Sequence, residues 1–306
     1  MHGWIILDKP LGLGSTQGVS AVKRALREAG YGPKKKDMPK VGHGGTLDPL
    51  ATGVLPIAIG EATKLAGRML DSDKAYEFTI GFGVQTDTLD AEGVEIARSD
   101  VRPTARDIAA VLPHFTGPIA QIPPAYSALK VDGERAYDLA RAGEEVTLAS
   151  RNVVIQALDF AESGNGPLEA ATFTAHVSKG TYIRSLARDI ALALGTVGHV
   201  TMLRRTKAGP FTLDSAISLD KLADAAKART LEHLLLPLRA GLDDIPALSL
   251  TPDQAGLLRQ GQVLAGIAAD APDLRDGQYF ALLEETPVAL VEAQSGLVRV
   301  VRGFNL

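Results

Sequence analysis

The fold and chemistry of this chain are best approached from residues 42–53, which read Gly42-His43-Gly44-Gly45-Thr46-Leu47-Asp48-Pro49-Leu50-Ala51-Thr52-Gly53. Four glycines and a proline make this stretch too irregular for a helix, and glycine allows positive φ angles and a close approach of the backbone to a ligand. Pro49 favours an extended conformation at Asp48. A carboxylate on such a loop suits a nucleophile or a general base, but an aspartate before proline also begins many ordinary turns. The segment alone leaves both interpretations open.

The composition is that of an ordinary globular protein. The chain has 306 residues, of which 45% are hydrophobic and 22% charged, so two domains with a sizeable core are expected. No apolar run reaches the roughly 18 residues of a membrane span, and the first residues do not resemble a secretory signal. The absence of cysteine excludes disulfides, thiol nucleophiles and cysteine-ligated metals, and is consistent with a reducing cytoplasm. We therefore predict a cytoplasmic protein without a membrane segment.

Histidine spacing and charge narrow the function classes further. The six histidines are scattered, without the spacing of a zinc-binding helix, so no metal is expected. The net charge of −4 argues against binding nucleic acid through bulk charge. Residues 1–40 nevertheless contain eight basic and three acidic side chains. This excess suits either a phosphate-binding face or a solvated charge cluster, and the sequence alone does not decide between them.

Periodicity predicts several elements. Residues 3–8 (GWIILD) are expected to form a buried strand, and Ser15 to cap a helix that runs to about Ala29. Residues 76–82 alternate at period two and predict a second strand. Residues 181–194 predict a helix that Gly195 ends. From about residue 246 onward, short apolar strands alternate with glycine-containing turns, which predicts a larger domain at 1–245 and a small β-rich domain at 246–306.

One motif could point to a dinucleotide cofactor. Gly12, Gly14 and Gly18 follow a predicted strand and open a predicted helix, as in a G-x-G-x-x-G fingerprint, but the last glycine comes one position late. No second strand ending in an acidic residue follows at the required distance, because a lysine-rich loop occupies that region. We therefore expect no nicotinamide or flavin site.

Several longer motifs occur in an order that is characteristic of one family. They are Lys9-Pro10 followed by Gly12, GHGGTLDPLATGVLPIAIGEATK (42–64), DSDKAY (71–76), IPPAYSALK (122–130), SKGTYIRSLARD (178–189) and VTMLRRT (200–206). Over roughly residues 3–240 the chain thus resembles the TruB family, the tRNA pseudouridine-55 synthases. Residues 246–306 resemble the PUA-like C-terminal domain of bacterial members.

The resemblance implies a fold, a reaction and a partner. The implied fold is α+β, with a mixed, largely antiparallel central sheet flanked by helices and a β-rich C-terminal domain. The implied reaction converts uridine 55 in the T-arm of tRNA to pseudouridine, with base flipping, no cofactor and no metal. It further implies a tRNA-binding protein that needs no other protein. We expect a monomer, because RNA must reach the cleft. Opening the tRNA elbow to flip a base implies a second role in tRNA folding.

The resemblance assigns catalytic roles to Asp48, Tyr76 and Arg184. A carboxylate near the ribose can attack C1′, add to C6 of the base or remove the C2′ proton, and the sequence does not choose among these routes. Arg184 would pair with Asp48, keeping it ionised and oriented. Tyr76 would stack on the target base and is a candidate for removing the C5 proton. Without the resemblance, Tyr76 is equally compatible with an ordinary strand aromatic, and the favoured interpretation of Arg184 is a surface helix residue.

Substrate contacts are also implied. His43 would occupy the place from which the flipped base leaves the stack, Tyr182 would line the pocket, and Leu203 would press on the base or on the Asp48 loop. Phosphate contacts are expected from Lys9, Lys64, Lys130, Lys179, Arg204 and Arg205. Residues 32–37 would form a basic arm near the RNA. The family's opening motif usually has a hydroxyl side chain where this chain has Gly14, so that polar contact is expected to be lost.

Two alternatives to a stand-alone tRNA enzyme remain. One is a guide-RNA-dependent relative that works inside a larger particle and shares the catalytic motifs. The other is an RNA-folding helper whose chemistry is secondary. Activity on bare tRNA would count against the first, and a biological effect that survives Asp48→Asn would support the second.

Overall fold

The computed structural model describes residues 1–32, 37–127, 129–131, 133–144, 148–161, 166–265 and 274–306, with the backbone alone at positions 130, 131 and 135. Its α-helices are α1 (Ser15–Glu28), α2 (Ala66–Asp71), α3 (Ala105–Val111), α4 (Ala136–Arg141), α5 (Ile183–Ala193), α6 (Leu219–Ala228) and α7 (Pro252–Arg259). Short 3₁₀ segments cover Gly60–Leu65, Leu112–Phe115, Leu213–Ser215, Leu231–Leu234 and Leu238–Gly241.

The strands fall into two main sheets. They are β1 (Gly3–Lys9), β2 (Val41–His43), β3 (Ala51–Ile59), β4 (Lys74–Phe82), β5 (Val84–Thr86), β6 (Glu95–Arg98), β7 (Gly117–Gln121), β8 (Lys130–Val131), β9 (Glu134–Arg135), β10 (Arg151–Phe160), β11 (Ala170–Val177), β12 (Gly198–Ala208), β13 (Phe211–Thr212), β14 (Ala247–Ser249), β15 (Leu264–Ala265), β16 (Gly277–Leu283), β17 (Thr286–Gln294) and β18 (Leu297–Gly303). Among the described residues, β5–β6 and β8–β9 form separate two-stranded sheets.

The larger sheet has nine strands in the described part of the chain. Its main path is β1-β3-β12-β4-β11-β10-β7, with β2 paired to β3 and β13 to β12. Strands β3 and β12 run parallel, and the other pairs are antiparallel. This confirms the predicted α+β class with a mixed, largely antiparallel sheet. The parallel pair matters for the site, because it brings the end of the Asp48 loop beside β12.

Strand β1 is apolar from Trp4 to Leu7, where both of its faces are covered. Ile5 and Leu7 join a core cluster with α1 and α6, whereas Trp4 and Ile6 join a second cluster on the other face. The outer edge of β1 is closed by backbone hydrogen bonds to Ile217 and to the segment after the 231–234 turn. A continuous hydrophobic run is the expected pattern for a strand buried on both faces.

Helix α1 differs from the prediction at its first residue. Gly14 is the N-cap, with extended backbone angles, and Ser15 is already helical. Gln17 supplies only the reciprocal half of a capping box, since its Oε1 accepts a hydrogen bond of 2.7 Å from the Gly14 amide. The face predicted to be buried is buried, namely Val19, Val22, Leu26 and Ala29. The hydroxyl of Ser15 is therefore free for another use, described below.

Helix α5 starts two residues later than the pattern predicted. The Thr181 hydroxyl donates a hydrogen bond of 2.9 Å to the Ser178 carbonyl and closes a turn before the helix. Tyr182 is the N-cap, and Gly195 at φ 73° follows the helix as predicted. This start places Arg184 in the first turn, with its side chain directed toward the Asp48 loop.

The C-terminal part confirms the predicted β-rich character and adds α7. Its sheet has the order β14-β16-β17-β18-β15 within the described residues. Phe280 of β16 and Phe304, just after β18, pack in the cluster that contains Trp4, so the two sheets share apolar contacts. Arg68 also pairs with Asp244 at 2.9 Å. Among the described helices, none is long and apolar enough to cross a membrane.

A substitution at Gly53 tests how closely β3 and β12 approach each other. It has φ 100°, and a Cβ on it would lie 2.2 Å from the Arg205 carbonyl oxygen. Gly53→Ala combines left-handed strain with a backbone clash, so we expect a loss of more than about 3 kcal/mol in the free energy of unfolding. Gly30 is a matched control, because it has φ 92° but nothing within 4 Å of its Cβ position. Gly30→Ala should cost about 1 kcal/mol in the same urea titration; equal losses would contradict a close approach.

Candidate active site

A cleft of about 1010 Å³ opens over the middle of the larger sheet. It collects residues that are far apart in sequence, because β3, β4 and β12 are adjacent and α5 follows β11 into the same region. Of the predicted site residues, those that line the cleft are Asp48, Tyr76, Lys179, Tyr182, Arg184 and Leu203. Arg205 also contributes to the lining.

The loop that carries Asp48 is fixed by hydrogen bonds to its backbone. The Ser15 hydroxyl accepts from the Leu47 amide at 2.7 Å and lies 2.9 Å from the Leu47 carbonyl, to which it donates. The Gly12 amide donates to the Pro49 carbonyl at 2.9 Å. The opening motif thus still supports the Asp48 loop through Ser15, although Gly14 has no side chain to contribute.

Lys9 is a second support for this loop. Its side chain is fully buried, and its Nζ donates to the carbonyls of Pro10 (3.1 Å), Leu13 (2.5 Å) and Pro49 (3.2 Å). The prediction that Lys9 contacts a phosphate is therefore wrong, because the amine does not reach the surface. Burial lowers the pKa of Lys9 to about 8, with a smaller opposing effect of the Asp48 charge.

Arg184 links Asp48 to the opposite wall of the cleft. Its Nη2 lies 3.0 Å from Asp48 Oδ2, so the expected pair is in contact. The guanidinium also donates to the carbonyls of Thr88 (2.9 Å) and Tyr126 (3.0 Å). The Arg184 side chain is 8% exposed, whereas that of Asp48 is 40% exposed. The arginine is thus anchored in the protein, and the carboxylate faces the cleft.

Sequence reasoning missed Asp90, the second carboxylate at Arg184. Asp90 Oδ2 lies 3.3 Å from Arg184 Nη1, and its side chain is 8% exposed. Its Oδ1 accepts hydrogen bonds from the Thr88 hydroxyl (2.6 Å) and the Glu92 amide (3.0 Å). The adjacent Leu89 is buried at φ 63°, an uncommon conformation for leucine. The only sequence signal is a polar turn after β5, and nothing in it indicates Arg184.

Tyr76 and Leu203 form the apolar floor of the cleft. Tyr76 lies on β4 opposite Ala175 of β11. Leu203 lies on β12 opposite Phe78 of β4 and Ala51 of β3. Both side chains pack against the two core clusters that meet beneath the cleft. They therefore present apolar surface next to the Asp48 loop.

Tyr182 is held at the start of α5 by Gln121. The Tyr182 amide donates to Gln121 Oε1 at 2.8 Å, and Gln121 Nε2 donates to the Tyr182 carbonyl at 3.1 Å. The Arg151 guanidinium lies 5.9 Å from the centre of the Tyr182 ring. Burial raises the pKa of the Tyr182 phenol, so this hydroxyl is protonated at neutral pH.

Three predicted binding residues lie in differing surroundings. His43, on β2, is half-buried and is not part of the cleft lining; burial, and then the Arg205 charge, lowers its pKa, which favours neutral imidazole at pH 7. Lys64 is also outside the lining, where it pairs with Glu61 at 2.6 Å. Lys179 lies at the cleft, 64% exposed and 3.1 Å from Asp71.

The remaining basic residues that were predicted to contact phosphate differ in how deeply they are buried. Arg204 is partly exposed and pairs with Asp8 at 2.9 Å. Arg205 is 1% exposed, so the prediction that it contacts a phosphate is wrong. The side chain of Lys130 lies outside the described residues, as do positions 33–36 of the predicted basic arm. The roles that the resemblance assigns to Asp48, Tyr76, Arg184 and the other site residues stay predictions.

The arrangement suits chemistry on a flat, partly apolar ligand by one carboxylate. Asp48 and Asp71 are exposed acids that both line the cleft, but among the described residues only Asp48 contacts Arg184 there. Arg184 supplies a fixed positive charge, and Tyr76 and Tyr182 supply aromatic walls. Across the described residues, no cluster of three or more histidine or acidic side chains could hold a metal ion. A nucleophilic or electrostatic role for the carboxylate fits this geometry.

Comparisons with known proteins agree on one family. Residues 33–183 match the TruB family pseudouridylate synthase N-terminal domain, and residues 184–243 match the tRNA pseudouridylate synthase B C-terminal domain. The tRNA pseudouridine synthase B of Novosphingobium aromaticivorans is 64% identical, over 100% of this chain and 98% of that protein. The protein of the same name from Zymomonas mobilis is 58% identical, over 100% of this chain and 96% of that protein.

Solved structures share the fold at lower identity. A Cbf5-Nop10-Gar1 complex contains a chain with a TM-score of 0.71 and 25% identity, which covers 99% of this chain and 85% of that chain. An H/ACA RNP bound to a substrate RNA containing 2′-deoxyuridine gives a TM-score of 0.72 at 24% identity, with coverage of 99% and 85%. The second likeness concerns the fold alone.

The burial of Lys9 predicts a pH dependence of stability. Its pKa is about 8 in the folded protein against 10.5 for an ordinary lysine, so the unfolded chain binds more protons between these values. Stability of the wild type relative to Lys9→Met should therefore rise as the pH increases from about 8 to about 10.5, and be constant below that range. Urea unfolding across this range measures it. The exposed Lys227 provides Lys227→Met as a control without such a change; a flat difference for Lys9→Met would contradict the lowered pKa.

Proposed function

This chain belongs to the TruB family of pseudouridylate synthases, and from that membership we propose that it isomerises uridine 55 in the T-arm of tRNA to pseudouridine. The observation that carries the proposal is the contact between Asp48 and the buried Arg184 at a cleft with aromatic walls. The names of the most similar relatives support tRNA as the substrate. Because its substrate is tRNA, we also propose that it acts in the cytoplasm.

The reaction needs no external reactant. The C1′–N1 bond of the uridine breaks, the base turns, a C1′–C5 bond forms, and the proton on C5 leaves while N1 gains one. Atoms and electrons balance within the nucleoside and solvent protons, so no redox cofactor is required. The enzyme has to supply a group that assists departure of the base, a pocket that retains it, and a proton acceptor.

Asp48 is suited to the first task. Arg184 contacts its Oδ2, and Oδ1 has no hydrogen-bond partner in the part of the chain that the structure describes. The free oxygen is available to attack C1′, to add to C6 or to remove the C2′ proton. The contact with Arg184 also fixes the orientation of the carboxylate that all three routes require.

The walls of the cleft are suited to retaining the base. Tyr76 and Leu203 offer a flat apolar surface beside Asp48, and Tyr182 faces them from the start of α5. Flipping a base out of its stack costs a few kcal/mol, which contacts of this kind recover. The Tyr76 phenol is our candidate for accepting the C5 proton, directly or through water.

The rim of the cleft is suited to binding the RNA backbone. Lys179 and Arg151 both line it, and Lys179 is well exposed. We propose that residues 1–245 form the catalytic domain and that residues 246–306 form a PUA-like domain that extends the RNA-binding surface. The protein would act as a monomer without a protein partner, and opening of the tRNA elbow would also assist tRNA folding.

The decisive assay follows release of tritium from unmodified tRNA transcribed with [5-³H]uridine. The purified wild type should release one equivalent per tRNA without cofactor or partner protein, and Asp48→Asn should reduce the rate at least about 10³-fold, because the reacting carboxylate is lost. Asp224→Asn makes the same chemical change at a carboxylate of α6 that is 80% exposed, and should react like the wild type.

The same assay separates the alternatives. Release that maps to position 55 supports the proposal and argues against a guide-RNA-dependent enzyme. A folded wild type that binds tRNA without releasing tritium would contradict the proposal and favour a guide-dependent or binding-only protein. Asp48→Asn should retain tRNA binding, since the carboxylate contributes no attraction to phosphate.

Binding of tRNA should be strongly salt-dependent. Each phosphate that a lysine or arginine neutralises releases counterions, so the affinity should fall steeply between about 50 and 200 mM salt. Lys179→Met should lower the slope of log Kd against log salt by about one, whereas Lys227→Met on α6 should not change it. Filter binding with Asp48→Asn measures this without turnover. A salt-independent Kd would contradict backbone binding at this rim.

A further inference from the structure

Arg205 is a buried cation that the reaction described above does not use. Its side chain borders the cleft but is only 1% exposed. Its Nε donates to the Val54 carbonyl at 2.8 Å, Nη1 to the Thr46 carbonyl at 3.2 Å, and Nη2 to the Gly45 carbonyl at 3.2 Å. All three nitrogens of one planar group are thus engaged by backbone oxygens.

These carbonyls lie on both sides of Asp48 in the chain. Gly45 and Thr46 precede it in the loop, and Val54 follows it on β3. A guanidinium has a rigid, planar set of donors, so it fixes the separation of the groups that it binds. We propose that Arg205 is a positioning residue for Asp48, because it ties the two ends of the catalytic loop to β12.

The backbone of Arg205 reinforces this link. Arg205 pairs with Gly53 of β3 on one side and with Tyr76 of β4 on the other. The absence of a Cβ at Gly53 allows the Arg205 carbonyl to come close. The backbone and side chain of one residue therefore connect the Asp48 loop to the strand that carries Tyr76.

The two neighbouring arginines of the site bind differently. Arg184 pairs with Asp48, and Arg204 pairs with Asp8. In the described part of the chain, Arg205 instead contacts carbonyl oxygens and no carboxylate. Burying a cation without a carboxylate is costly unless its hydrogen bonds are satisfied. That cost is consistent with a role that requires this particular geometry at the loop.

Substitution should therefore affect the chemical step more than RNA binding. Arg205→Lys keeps the charge but loses the forked geometry, and Arg205→Met loses both. A displacement of about 1 Å at a reacting group can cost about 100-fold in rate. We expect the single-turnover rate at saturating tRNA to fall about 10-fold in Arg205→Lys and at least about 100-fold in Arg205→Met. The Kd for tRNA should change less than about threefold, because the buried side chain does not reach RNA.

Hydrogen exchange provides a readout that does not depend on activity. Amides of residues 44–54 should exchange faster in Arg205→Met than in the wild type, while those of β4 stay protected. Lys207→Met is the control, since Lys207 is an exposed residue of the same strand and should change neither exchange nor rate. If Arg205→Met does not fold, Arg205→Lys is measured in the same way.

Chemical rescue completes the test. In Arg205→Ala, millimolar guanidinium should restore part of the single-turnover rate, and sodium chloride at the same ionic strength should not. An unchanged rate with unchanged exchange at 44–54 would overturn the inference, as would a general loss of protection across β4 and β11. The rate measurements rest on the proposed function, and an inactive wild type would show that this function is wrong. The exchange measurements test the role of Arg205 independently of that function.

Discussion

A loop without regular secondary structure has to hold Asp48 in one orientation, and its backbone polar groups need partners that a helix or sheet would otherwise supply. Ser15 binds the amide and carbonyl of Leu47, and Lys9 binds the carbonyl of Pro49. Arg205 binds the carbonyls of Gly45 and Thr46, which precede Asp48, and that of Val54, which follows it. Leaving such a buried group without a partner costs about 1–3 kcal/mol. The loop is therefore held by side chains from β1, α1 and β12, which depend in turn on the sheet.

Buried cations are concentrated at this site although the protein is acidic overall. Lys9 and Arg205 support the loop, Arg184 pairs with Asp48, and Lys74 lies in the cleft wall. Burial lowers the pKa of Lys74 to about 8, and its amine donates to the carbonyls of Leu70 and Ser72. Although the net charge of the protein is −4, these cations make the interior positively charged at the point where a polyanionic substrate would approach. Local charge, and not the total, determines what this surface can bind.

The sequence predicted the helices and strands better than it predicted the burial of individual side chains. The strand at 3–8 followed from its continuous apolar run. The buried face of α1 followed from periodicity, because burial on a helix repeats with its geometry. The contact between Asp48 and Arg184 could only be expected from the family resemblance, since the number of residues between two positions does not give their distance in the fold. Lys9 and Arg205 were expected to contact phosphate, which requires a position at the surface. Their carbonyl partners come from loop conformations that no pattern specifies.

Asp90 shows why two carboxylates around one arginine need not share a function. Both contact Arg184, but Asp90 is buried, and its Oδ1 is already bound by Thr88 and Glu92. Asp48 is 40% exposed, and only its Oδ2 is engaged among the described residues. Because Asp90 and two carbonyls fix Arg184 from the protein side, the guanidinium can hold Asp48 without being displaced by substrate. The asymmetry in burial thus separates a carboxylate that organises the site from one that is free to react.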